Sequence, residues 1–209
     1  SVSILDLDPN SPFVRLREFR QTASRPPLCT ILGLQEIGEK GFFDAIDSLS
    51  KAHDFTILDC EGSQNYMLTK AASVSGLTII PLKHSPLDAW SLPTVTSFVK
   101  EQSRVMHRPL PYRILVNFTA GGAVVTNWER DILNELDANK IPRFQTLLYE
   151  GNAFKDMWGE AATLYEMDAD LKSGNARPDA IARSTKAITR MQALCDELFT
   201  VMNSSSVSA

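Results

Sequence analysis

Cysteine is scarce. Cys29, Cys60 and Cys195 are the only 3 among 209 residues. They are too few and too scattered for a disulfide framework or a zinc site, and a reducing cytoplasm is the compartment they suit. No apolar run approaches the roughly 18 residues of a membrane span. No secretory signal pattern is visible. Neither sign of charge dominates: 21 Lys and Arg face 25 Asp and Glu, for a net charge of −4. That balance does not advertise nucleic-acid binding, although a local basic face can act alone. Internal repeats are missing, as is any linker that would divide the chain. What remains is an ordinary globular composition, 44% hydrophobic and 22% charged, on a chain long enough for a sizeable core.

The hydrophobic pattern alternates between two kinds of segment. Short continuous apolar runs at Val2–Asp6, 28–32, Phe55–Asp59, 77–81, Tyr112–Asn117 and 144–148 suit a parallel sheet covered on both faces. Helical spacing appears between them. Phe42, Ile46 and Leu49 share a face within 41–52, and Trp128, Ile132 and Leu136 recur at i, i+4, i+8 within 126–138. Ser85-Pro86-Leu87-Asp88 reads as a helix start, with an N-cap serine, a proline in the first turn and an acid at the capping-box position. Pro93 is expected to kink or divide that helix. A last helix begins near Pro178, and Ile181, Ile188, Met191, Cys195 and Leu198 form its apolar stripe, so Cys195 is expected to be a buried thiol. Together these predict one α/β domain over 1–203, with a doubly wound, mostly parallel sheet and helices on both faces, and a disordered tail at 204–209.

Ligands of an open parallel sheet bind at the carboxyl ends of its strands. The first run ends in Asp6-Leu7-Asp8, the third in Asp59, the fifth in Asn117. Carboxylates can hold Mg²⁺ through water, and an amide can read a base edge. Each aspartate alone could equally be a cap for the following helix. The three together favour a site.

These residues carry a resemblance. ILDLDPN resembles the switch I strand of the ParA/MinD family of deviant P-loop ATPases, and DFTILDCEGSQN resembles that family's Walker B strand and switch II. LTIIPLKHSPLDAWSL, RILVNF and IPRFQTLLYEGNAFKDMWGEAATLYEMD resemble its later segments, in the family's order. The resemblance implies ATP and Mg²⁺ as cofactors and a P-loop NTPase-like fold. It assigns Asp8 to positioning the attacking water and helping to hold Mg²⁺. Asp6 becomes its partner on the same strand, near the metal's water shell. Asp59 becomes a Mg²⁺ ligand acting through water, Gly62 the switch II glycine, Asn117 the adenine reader, and Tyr149 and Glu150 part of the base pocket. It also implies a βα unit with a KGGxGKT loop ahead of Ser1. No G-x-x-x-x-G-K-[ST] pattern occurs within the 209 residues, and Ala120-Gly121-Gly122-Ala123 has no Lys after it. The first βα unit is therefore expected to be missing from this sequence. Cys60-Glu61 departs from the family's Thr-Pro or Ser-Pro, and a carboxylate there would repel a γ-phosphate.

The family's partitioning members bind DNA non-specifically as ATP-bound dimers, and a partner protein stimulates their hydrolysis. Arg183, Lys186 and Arg190 share a helix face at i, i+3, i+7, readable either as solvated surface or as a phosphate-binding surface. By distance along the sequence, that face is expected to be independent of the nucleotide residues. Arg15, Arg17, Arg20 and Arg25 form a second basic cluster. Two rival readings stand beside the ATPase: a non-catalytic scaffold on the same fold, and an aspartyl-phosphate hydrolase suggested by DLDPN. Pro9-Asn10 does not fit the hydrolase's DxDx[TV] loop.

Overall fold

The computed structural model describes residues 1–63, 65–83, 92–119, 126–174 and 176–206. The helix start at Ser85-Pro86-Leu87-Asp88 and the Ala120-Gly121-Gly122-Ala123 cluster lie outside them. The chain divides into two compact units, Ser1–Val74 with Trp158–Ala162, and Ser75–Met157 with Thr163–Ala209. Both are α/β and parallel.

The first unit is built on β1 (Val2–Asp6), β2 (Thr30–Gly33) and β3 (Phe55–Asp59), in the order β2-β1-β3. All pairings are parallel, and the register sets Asp6 beside Gly33 on one side and Asp59 on the other. The helices are α1 (Pro12–Thr22), a single turn α2 (Leu34–Ile37), α3 (Phe42–Ala52) and α4 (Tyr66–Val74). The α3 stripe behaves as its spacing predicts. Phe42 and Leu49 are buried in a core with Leu5, Leu7, Met67 and Ala71, and Ile46 packs against it. β1 is buried on both faces, as a continuous apolar run should be. β3 is not: Ile57 is 51% exposed.

The second unit holds the parallel pair β4 (Thr78–Lys83) and β5 (Tyr112–Asn117). Its helices are α5 (Leu92–Val105), α6 (Asn127–Ala138), α8 (Leu164–Ser173) and α9 (Pro178–Ser206), and α7 (Asn152–Gly159) belongs to it as far as Met157. Pro93 sits in the first turn of α5, where its missing N–H costs little. Thr126 and Thr163 close capping boxes with Glu129 and Glu166, which fixes where α6 and α8 begin.

Three sequence expectations change here. The run 144–148 bridges β5 at both ends, through Arg143 to Ile114 and Tyr149 to Thr119, but is not a regular strand. It takes one more residue than β5 over the same path, and the N–H groups of Gln145 and Thr146 go instead to the Glu197 carboxylate, at 2.7 and 2.9 Å. Cys195 is exposed. The buried line of α9 runs through Ser184, Ala187, Leu194 and Val201, and the residue after Leu194 is turned about 100° away from it. Trp128 is likewise 59% exposed, and Glu129 takes its place beside Ile132 and Leu136.

Candidate functional site

Asp6 closes β1 fully buried. Its Oδ2 accepts hydrogen bonds from the N–H groups of Phe13 and Val14, at 2.8 and 3.0 Å. The local sequence requires this. Ser11 precedes α1 in a left-handed conformation, φ 49°, and its side chain caps nothing. Pro12 has no N–H to offer. The next free donors of the helix turn inward to the carboxylate, so the cap reading of an aspartate holds for one oxygen of Asp6. The other oxygen, Oδ1, is buried with no hydrogen-bond partner among the described residues. Gly33, beside Asp6 in β2, is what lets α1 approach: a Cβ there would lie 2.7 Å from Val14 Cγ2. Sequence reading overlooked this glycine.

Asp8 lies past the strand end. Its Oδ1 accepts from the Asn10 N–H at 2.7 Å, and its carbonyl from the Ser11 N–H at 2.8 Å. Asp59 is half-buried. Burial, then the charge of Asp6, then that of Asp8 push its carboxyl up to about 6. Cys60 follows with its thiol pushed up to about 11 by burial and by Asp59, which leaves it protonated and unreactive at neutral pH. Glu61 accepts from Asn65 Nδ2 at 3.1 Å, and Asn65 Oδ1 accepts from the Leu68 N–H at 2.8 Å. A Cβ at Gly62 would meet nothing within 4 Å, so packing does not demand glycine there.

Three carboxylates therefore gather at the carboxyl ends of two adjacent strands, and they suit a hydrated divalent cation. An ion near them would relieve the repulsion on Asp59 and could send a water to Asp6 Oδ1. Among the described residues no three His, Cys, Asp or Glu side chains converge to hold a bare ion. Mg²⁺ commonly keeps several of its waters.

The remaining predicted residues belong to the second unit. Asn117 ends β5, and its Oδ1 accepts from the Phe118 N–H at 2.8 Å. Tyr149 packs edge-on to Phe154 with ring centroids 5.7 Å apart, and Lys186 Nζ lies 4.9 Å from its ring centroid. Gly151 is confined by that ring, since a Cβ would come within 2.8 Å of Tyr149 Cε2. Glu150 pairs with Lys155 at 2.7 Å.

On α9, Arg183, Lys186 and Arg190 are exposed. Arg183 pairs with Asp179 at 2.6 Å. Because Lys186 rests on Tyr149, and the Arg190 charge acts on the same phenol, this face is not independent of the residues assigned to the base. Distance along the sequence misled on that point. Two of the four arginines in the second basic cluster have structural partners. Arg20 is buried and donates to the carbonyls of Pro26 and Ala161, and Arg17 pairs with Glu36 at 2.9 Å.

No family model matches the sequence, and no curated protein matches it. Solved structures do. A McdA from Cyanthece in its apo form aligns with a TM-score of 0.62 at 13% identity, covering 92% of this chain and 87% of that one. A ParA family ATPase from Chlorobium tepidum aligns with a TM-score of 0.55 at 13% identity, covering 92% and 84%. The MinD cell division protein of Aquifex aeolicus gives 0.53 at 14% identity, covering 91% and 84%.

Proposed function

We propose that this chain, which has the ParA/MinD-type fold, is a ParA-like ATPase domain. It acts in plasmid or chromosome partitioning, or in conjugative transfer, through ATP-dependent dimerisation and non-specific DNA binding in the bacterial cytoplasm. One observation carries the reading: Asp6 and Asp59 stand in register at adjacent strand ends with Asp8 close by, and the charges of the other two help push the Asp59 carboxyl up to about 6.

Asp59 and Asp8 would hold Mg²⁺ largely through water, and Asp6 would accept from that water shell through its unpaired oxygen. Mg²⁺ supplies charge neutralisation on the phosphates. Asp8 orients the attacking water by accepting its hydrogen bond. Gly62 offers an N–H to the γ-phosphate. Asn117 reads adenine, and Tyr149 and Glu150 line the base. Arg183, Lys186 and Arg190 take DNA phosphates, and a partner protein stimulates turnover. No helix among the described residues is long and apolar enough to cross a membrane.

Glu61, two residues past Asp59 where a carboxylate would repel a γ-phosphate, favours a second reading, a scaffold module without turnover. Nucleotide binding separates the two. The chain is extended at Ser1 by a strand, P-loop and helix, and calorimetry with Mg-ATP follows. The ATPase reading expects micromolar binding and slow turnover. Binding no tighter than that of the unextended chain rejects it in favour of the scaffold.

A further inference from the structure

The helix α1 presents apolar side chains on two faces. Inward, Val14 lies against Gly33, and Arg20 is buried. Outward, Pro12, Arg15, Leu16 and Phe19 follow one another at i, i+3, i+4 and i+7, the spacing of a stripe that packs against something. Here the stripe lines an open groove of about 370 Å³, which Asn10 and Trp158 complete. Phe19 and Trp158 are each 46% exposed.

The groove is held in shape from behind. Trp158 belongs to the same unit as α1, and its ring packs on that of Phe13 with centroids 5.6 Å apart. The buried Arg20 guanidinium donates to the Ala161 carbonyl at 2.7 Å, which ties Trp158–Ala162 to the helix. At the mouth, the Asn10 N–H donates to Asp8 Oδ1 at 2.7 Å, and its side-chain amide has no partner among the described residues. Arg15 differs from the other arginines of α1. Arg17 pairs with Glu36, and Arg20 is satisfied by carbonyls. The Arg15 guanidinium makes no hydrogen bond or ion pair among the described residues, not even with Glu18 three residues on.

We propose that this groove binds a small planar aromatic carboxylate, its ring against Phe19 and Trp158 and its charge on Arg15. Small-molecule sites are mostly apolar and aromatic, with a few polar groups that fix orientation, and this lining has that make-up. A guanidinium takes a carboxylate through two parallel N–H···O bonds. A single charge follows from the surroundings: Arg15 is the one cation among the lining residues, and Asp8 beside Asn10 repels a second negative group. A neutral apolar ligand fits less well, because it would strip water from the guanidinium and give nothing back. The volume lies at the small end of ligand sites, which suits one or two rings. The inference uses none of the residues assigned to nucleotide and stands apart from the ATPase reading.

The test is an NMR titration of the ¹⁵N-labelled chain, following the Trp158 indole N–H and the amides of Arg15, Leu16 and Phe19. The probes are β-naphthoate and its uncharged counterpart β-naphthamide. Naphthoate should shift all four signals with a single dissociation constant of about 1 millimolar or tighter, the scale for a ligand of about 13 heavy atoms. Naphthamide should bind at least about fivefold more weakly. Arg15→Gln changes an exposed side chain, so the fold should persist, as the remaining amide signals will show. It should reduce naphthoate to the naphthamide affinity and leave naphthamide unchanged. No shift at about 5 millimolar naphthoate overturns the proposal. So do equal affinities for the two compounds, or an Arg15→Gln variant that binds naphthoate as the parent chain does. Displacement of naphthoate by an equal concentration of inorganic phosphate also overturns it, by marking Arg15 as a contact for any anion.

Discussion

Asp59 keeps its proton up to about pH 6 in the folded chain, where an ordinary aspartate loses it near 4. Between those values the folded state holds a proton that the unfolded state has released. The stabilisation from this group is complete at low pH and is lost as pH rises through that window. Taken whole, the shift would be worth about 3 kcal/mol. Asp59 is only half-buried, so solvent screening leaves on the order of 1 kcal/mol. Asp59→Asn should therefore raise stability at pH 7 by about 1 kcal/mol and remove the slope between about pH 4 and 6. Urea midpoints across that range measure it, and a slope that survives the substitution shows that another group titrates. Millimolar Mg²⁺ should act in the same direction at pH 7, because a cation offsets the repulsion among Asp6, Asp8 and Asp59.

Among the elements, α1 depends most on one distant residue. Its first turn has no local cap, and Asp6 satisfies Phe13 and Val14 from the strand below. Asp6→Ala should cost about 3–6 kcal/mol, the worth of two hydrogen bonds to a carboxylate. Hydrogen exchange should locate the loss at Phe13 and Val14, and uniform loss across the unit would contradict the capping role. The capping boxes of α6 and α8 are more local, and Thr126→Ala or Thr163→Ala should each cost about 1 kcal/mol by chemical denaturation. For α9, Arg183 is the clean probe of DNA binding, since Lys186 and Arg190 both act on Tyr149. In a chain that binds DNA, Arg183→Glu should lower affinity and reduce the log–log salt slope by about 1 while ATP affinity stays unchanged. An unchanged slope would mark the face as solvated surface.

For the whole molecule, the 209-residue chain on its own should bind Mg-ATP weakly. A P-loop holds phosphates through its N–H groups and a lysine. Forgoing about four charge-assisted hydrogen bonds removes on the order of 6 kcal/mol, about four decades of affinity. A micromolar dissociation constant for this chain, by calorimetry, would refute that expectation. In the chain extended by a P-loop unit, Asp8→Ala should abolish turnover and spare binding, because orienting water matters most in the transition state. Asp59→Ala should weaken Mg-ATP binding instead. Equal losses of affinity in both would undo that division of roles.

The sequence by itself determined the elements whose signal is local. The apolar runs Val2–Asp6, Phe55–Asp59 and Tyr112–Asn117 became strands with the boundaries read from them. The α3 stripe buried Phe42 and Leu49 as its spacing implies, and the aspartates at strand ends came together because parallel register aligns carboxyl ends. Tertiary structure decided what depends on partners far along the chain. Glu197 draws the N–H groups of Gln145 and Thr146 out of a strand whose apolar pattern was sound. Lys186 rests on a tyrosine that no spacing connects to it. Cys195 and Leu194 are both acceptable in an apolar stripe, and which of them is buried depends on how the helix is rotated against Leu115 and Phe144. Hydrophobic periodicity fixes an element's type and roughly its inward side. Its exact rotation, and the fate of each polar group, follow from whichever long-range contact satisfies the most buried donors and acceptors.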